Sequence, residues 1–315
     1  MNSSFSSELM KLSRTCINAA FGSLGFELRR KPLGRGIPKS PPPLFDDPIE
    51  AMYHQRGGEN ALFKCPVNRL VELKGFGFGE QKWHPMVNVT NGYNQYGYDV
   101  ADRLLSKYYR THHPDNAAEA LPGFADSPAL FAEAPSHIYY LAPWNARSAE
   151  TIDSLARAWT YQENVANGRD DLFLDPHGFM MHGPVHRAKR KLELRRLTQL
   201  VDSIRNNGFS PGANINVRVL KRNDELLFVV NGGGHHRASV VAALGYEWVP
   251  ARFYPGPIII DVAEAELWPS VRSGVWSIHQ ARAYVDYLFD FDSRAWAESR
   301  GLLLEQNIPH SKAPE

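Results

Sequence analysis

Residues 231–245 read NGGGHHRASVVAALG: three glycines run directly into two histidines and an arginine, and a small apolar run closes at Gly245. Upstream, NINVRVLKRNDELLFVVNGG carries two apolar and β-branched runs joined by Asn223 and Asp224, the pattern of a hairpin. The stretch therefore falls where a strand ends and a helix, HRASVVAALG, begins. Backbone N–H groups at a helix start lack partners and carry partial positive charge, so a glycine-rich turn entering a helix is a seat for phosphate. Arg237 adds a fork of donors matched to phosphate oxygens, and His235 and His236 can donate hydrogen bonds or exchange protons near neutral pH. Gly233 and Gly234 are the expected phosphate seat.

The flanking segments extend the pattern on both sides. ELRRLTQLVDSIRNN (193–207) places Leu194, Leu197, Leu200, Val201 and Ile204 on one helical face, with Gly208 as its stop. EWVPARFY reads as a strand after the glycine-histidine helix, and ELWPSVRSGVWSIHQARAYVDYLFDF as one or two C-terminal helices. SAETIDSLARAWTYQENVANG reads as a helix closing at Gly168. Before it, residues 49–168 mix short apolar runs with turn residues: ADRLLSKYYRTH reads as a helix, and IYYLAPW (138–144) as a short buried strand. Residues 32–48 hold too many prolines for regular structure and read as a linker. The expectation is an α+β protein in three parts: 1–48, a helix and linker; 49–168, an irregular α+β region; and 169–315, a nucleotide-binding domain with C-terminal helices.

Composition narrows the partners. At 315 residues and 43% hydrophobic content the chain buries one large core or two modest ones. Lys+Arg 35 against Asp+Glu 34 leaves a formal charge of +1, which disfavours nucleic acid as a partner and confines any polyanion site to a local patch. Cys16 and Cys65 lack metal-ligand spacing, and a reducing, cytoplasmic setting is expected. No run of about 18 apolar residues suggests a spanning helix. Residues 7–31 place Leu9, Leu12, Ile17, Phe21, Leu24 and Leu28 near one helical face beside Lys11, Arg14 and the Arg29-Arg30-Lys31 cluster. Such a basic amphipathic helix docks on its own protein, on an enzyme complex or peripherally on the inner membrane face.

The ordered set LELRRLTQLVDSIRNNG, INVRVLKRNDELLFVVNGGGHHRASVVAALGYEWVPARF resembles the ParB/sulfiredoxin-like nucleotide-binding fold over about residues 170–255. In that fold a helix precedes a hairpin, and a glycine-containing turn starts the next helix. The resemblance implies a turn that holds nucleotide phosphates, CTP in some partition proteins and ATP in sulfiredoxins, and the Gly-His-His-Arg sequence of a small group of free serine kinases is the most similar. Gly234, His236 and Arg237 match the phosphate-contacting Gly, His and Arg of the sulfiredoxin turn, while His235 replaces that family's catalytic cysteine and so removes its chemistry. Gly233 stands where the serine kinases carry an acidic residue. The sulfiredoxin Lys, Ser and Thr that also touch nucleotide correspond to Arg196, Gln199 and Ser203.

FLDPHGFMMHGPVHRAKRK, ahead of that helix, holds Asp175, His177, His182 and His186. A carboxylate here can take the proton of an acceptor hydroxyl in phosphoryl transfer, so Asp175 is the expected general base with His235 and His236 as its catalytic partners. Gly178, Gly183 and Pro184 break the helix that would align the histidines on a transition metal, and Mg2+ carried by nucleotide phosphates is expected instead. The basic run from His186 to Arg196 is a solvated helix face or the rim of an anionic pocket. The sequence thus points to an ATP- or ADP-dependent phosphotransferase, a kinase acting on a hydroxyl of a small polar metabolite or sugar, with Trp83, Tyr93, Tyr96 and Trp144 as candidates to stack on the acceptor. The alternative is a non-catalytic ATP- or CTP-sensing scaffold of the same fold.

Overall fold

The computed structural model describes residues 42–209 and 214–304. The amphipathic helix expected over residues 7–31, its docking role, and all but the last residues of the proline-rich segment lie outside the described residues.

The hairpin pairs β4 (Ile215–Arg222) antiparallel with β5 (Glu225–Val230), Val217 opposite Val230 and Arg222 opposite Glu225. The chain reverses at Asn223, which takes a φ of 55°, a left-handed conformation that asparagine tolerates. β6 (Trp248–Phe253) runs parallel to the start of β4, and β7 (Ile259–Asp261) continues along the same edge from Val219. β2 (Leu62–Pro66) is antiparallel to β6, β1 (Leu44–Phe45) parallel to β2, and β3 (Leu70–Val71) parallel to β5. The sheet order is β1-β2-β6-β4-β5-β3, with β7 also on β4.

Strands from residues 44–71 and from 215–261 thus share one mixed sheet, and the described residues form one compact unit. The boundary expected near residue 168 does not fall between two bodies, because sheet pairing crosses it. Burial explains why the central strands read as continuous apolar runs: Phe228 and Val230 face one core, Leu227 and Val229 the other. A strand covered on both faces loses its polar alternation.

The first core is closed by α2 (Pro85–Tyr96), α3 (Tyr98–Thr111), α5 (Arg187–Asn207) and α6 (His235–Ala243). The second takes α7 (Ile278–Asp290) and the loops between residues 117 and 144. α1 (Pro48–Arg56) flanks the β1 edge, and α4 (Ala149–Ala166) starts at Ser148, whose Oγ accepts the Thr151 N–H at 3.3 Å. α8 (Ser293–Ser299) contributes Trp296 to the first core.

Three local expectations change. Helix α5 starts at Arg187 rather than Glu193, because the His186 ring caps it by accepting the Ala188 N–H at 3.2 Å. Residues Ser136–Tyr140 form a 3-10 turn instead of a strand: Pro135 starts it, and β-rich composition yields to that turn. The VNVTNGYNQY segment, read as irregular, is the body of α2, with Pro85 in its first turn and the His84 ring as its cap. A Cβ at Gly92 would sit 2.4 Å from Leu104, so that glycine lets α2 and α3 approach closely. Among the described residues no helix is long and apolar enough to cross a membrane.

Candidate functional site

The turn at the start of α6 takes a conformation only glycine holds easily, with φ of 73° at Gly232, 112° at Gly233 and 110° at Gly234. Two of the three are also fixed by space. A Cβ on Gly232 would meet the Tyr254 ring at 2.6 Å, and one on Gly234 would meet Ile215 at 2.8 Å. Asn216 of β4 clamps the turn: its Nδ2 donates to the Gly232 carbonyl at 2.7 Å, its N–H to the Gly233 carbonyl at 3.3 Å, and its Oδ1 accepts from Arg252 Nε at 2.7 Å. Gly234 is the N-cap of α6 and brings no side chain to the helix mouth. The first-turn amides of His235, His236 and Arg237 are left without a protein acceptor among the described residues.

That mouth opens on a cleft of about 1040 Å3 whose lining includes Gly233, Gly234, His235, His236 and Arg237 from the turn, and Arg196, Gln199 and Ser203 from α5. The two sequence-derived groups, more than 25 positions apart along the chain, meet across one space. The spacing of Arg196, Gln199 and Ser203 puts all three on the helix face turned toward α6. Arg237 is exposed and donates to the Asn214 carbonyl at 3.0 Å, and Arg252, which the sequence did not single out, is exposed at the same wall.

Beneath the cleft lies a carboxylate that sequence reasoning missed. Glu193, fully buried, contacts Lys189 at 2.5 Å, Arg196 at 2.8 Å and His236 at 3.0 Å. Burial pushes its carboxyl up, but the His236 contact and the charges of Arg196 and Lys189 override this and hold it well below the usual range. The contact sets the orientation of the His236 ring. Arg196 is shared onward with Glu163 of α4 at 2.5 Å, so two carboxylates fix one guanidinium. In sequence Glu193 is marked only by its place three residues before Arg196 within LELRR.

His235 sits deeper. Burial pulls its pKa down to about 4, against the opposing pull of Glu72, so its ring is neutral at pH 7 and works as a hydrogen-bonding group rather than a cation. Asp175 is not brought to the cleft. Its carboxylate is exposed and paired with Arg157 at 2.6 Å, because residues 175–176 leave helical geometry and turn the side chain outward. His177 and His186 touch edge to face with ring centres 5.4 Å apart, whereas His182 is buried against the Gly183 carbonyl. Among the described residues no group of three or more His, Cys, Asp or Glu is arranged to hold a metal. Of the aromatic residues singled out, Trp83 and Trp144 are core residues and Tyr93 bonds Asp202 at 3.3 Å. The rings that line the cleft are Tyr140, Trp159, Phe179 and Tyr254.

Fold and site together describe an α+β protein with an uncapped helix mouth facing an arginine-bearing helix across one cleft. No protein-family model matches the chain, and no curated protein matches it.

Proposed function

We propose that the protein is a nucleotide-dependent phosphotransferase of ParB/sulfiredoxin-like type, using ATP or ADP to phosphorylate a hydroxyl of a small polar or sugar-like acceptor in the cytoplasm. One observation carries the reading: the uncapped mouth of α6, Arg237 and Arg252 face Arg196, Gln199 and Ser203 across a single cleft. The amides and Arg237 seat the polyphosphate, and Gln199 and Ser203 bond its nucleoside side. His236, held by Glu193, stabilises the transferring group, where charge accumulates as the phosphoryl group moves. Neutral His235 adds a second hydrogen bond. Glu163 is the carboxylate that lines the cleft among the described residues, a donor set that suits Mg2+ brought in by phosphates rather than a protein-built cage.

Calorimetric titration with ATP, ADP and CTP tests the seat. Wild type binds at least one of them, and Arg237→Ala weakens that binding by about tenfold or more, the worth of one or two charge-assisted hydrogen bonds. No binding by any of the three overturns the reading. Tight binding with no phosphate transfer to any of a panel of hydroxyl compounds would leave a nucleotide sensor on the same seat.

A further inference from the structure

Most indoles of this chain are interior: Trp83, Trp144, Trp268, Trp276 and Trp296 are all buried. Trp159 departs from that habit. It is half-buried on α4 and lines the cleft together with Tyr140 and Phe179, both half-buried as well. Tyr140 joins the three into one wall, its ring 6.5 Å from Trp159 at 61° and 5.8 Å from Phe179 at 75°. Partly exposed rings in a concave wall are amphipathic surfaces, with a flat apolar face and polar tips, and they suit a ligand that is itself apolar on one face and hydroxylated at its edge.

Charge divides the cleft into two halves. The exposed guanidiniums, Arg237 and Arg252, belong to the glycine-turn wall. Near the rings the cations are committed: Lys189 is fully buried between Glu193 and Asn164, each at 2.5 Å, and Arg196 is shared by Glu193 and Glu163. Among the described residues, an acceptor bearing a carboxylate or phosphate would find no uncommitted cation beside the rings and would face Glu163. Uncharged hydroxyls meet instead Gln162 and the Glu163 carboxylate. Arg196 holds Oε1 of Glu163, and Oε2 has no partner among the described residues.

We propose that the wall formed by Tyr140, Trp159 and Phe179 is the acceptor subsite, that it takes an uncharged sugar ring, and that Glu163 is the catalytic base. This rests on the phosphotransferase reading. The acceptor oxygen bonds to the terminal phosphorus of the nucleotide, and the bond from that phosphorus to the bridging oxygen breaks. That oxygen leaves with the electron pair on the shortened nucleotide, and the hydroxyl proton passes to Oε2 of Glu163. Arg196 ties the base to the phosphate half, so proton acceptor and phosphoryl donor are held by one guanidinium.

The test uses the full chain and three probes: N-acetylglucosamine and glucose as neutral rings, and glucuronate as the charged control. Ligand-observed saturation-transfer NMR, with and without ATP, reads sugar binding, and phosphorylated product is followed by mass spectrometry. The neutral sugars bind and glucuronate binds at least tenfold more weakly. Trp159→Ala lowers sugar binding at least tenfold with ATP affinity unchanged. Glu163→Gln keeps sugar binding within about threefold yet, measured at saturating ATP, lowers transfer at least a hundredfold. Glucuronate binding as well as glucose, or transfer undiminished in Glu163→Gln, overturns the proposal while leaving the phosphate seat standing. Failure of ATP, ADP and CTP alike to bind removes the phosphotransferase reading itself, and with it the assignment of Glu163 as base.

Discussion

Glu72 and Glu193 are alike in burial, at 1% exposure or less, and each is paired with a lysine and a histidine. They differ in what their partners touch. Glu193 reaches the cleft through Arg196 and His236, at contacts of 2.8 and 3.0 Å. Glu72 lies 3.3 Å from Lys74 and 3.5 Å from His84, and those partners are enclosed: Lys74 bonds the Tyr108 hydroxyl and the Met181 carbonyl, and the His84 ring stacks on Phe78 at 4.1 Å. One buried charge holds cleft-lining groups in place, and the other ties the segment after β3 to α2 and α3. Burying a charge is costly in either place, so the pairing fixes position more than it adds stability.

The largest effect separating the two clusters is on stability. Glu72→Leu leaves Lys74 and His84 buried without their carboxylate, and denaturant unfolding is expected to show a loss of about 3–5 kcal/mol. A loss below about 1 kcal/mol would mean that the cluster is not structural.

Acidification probes the same ground. Burial draws His235 from 6.5 to about 4, and burial with the Lys74 charge draws His182 from 6.5 to about 3. Between those values and 6.5 the unfolded chain binds protons that the folded chain does not, so stability rises with pH across this window and falls on acidification. Glu72 acts in the same direction lower down: burial alone would raise its pKa, but Lys74 and His84 hold it at about 2, below 4.5, and its contribution is lost as pH drops between those values. Thermal midpoints are expected to decline steadily from pH 7 to pH 4; a flat profile would show that His235 and His182 are solvated.

Glu193→Gln sharpens the contrast in the other direction. It loosens Arg196 and His236, and ATP affinity is expected to fall about tenfold to a hundredfold, whereas Glu72→Gln keeps it within about twofold. Equal losses from both would erase the functional distinction between the clusters. The smallest effect is at Asp175. Its exposed pair with Arg157 contributes about 0–1 kcal/mol, so Asp175→Asn should leave stability and phosphate transfer essentially as they were. A large loss of transfer would return the base to Asp175.

The glycine-turn half of the cleft was legible because its residues lie in two continuous strips. Consecutive glycines need the positive φ angles they adopt, and Arg196, Gln199 and Ser203 share a face by helical period alone. The aromatic half was not legible. Trp159 and Glu163 sit four apart in a polar helix, and only the packing of α4 against α5 and the Ser136–Tyr140 turn brings them to Tyr140 and Phe179. Asp175 looked well placed because it precedes α5, but the turn at Pro176 directs it outward. The shared sheet was hidden for a related reason: β1 and β3 are two residues long and carry no periodicity of their own.

Hydrogen exchange of the backbone amides of residues 232–238, with and without saturating ATP, examines the phosphate seat most directly. The account predicts that ATP slows exchange at His235, His236 and Arg237 by at least tenfold, with smaller effects along Arg196–Ser203. ATP binding that leaves those three amides exchanging as before would contradict it.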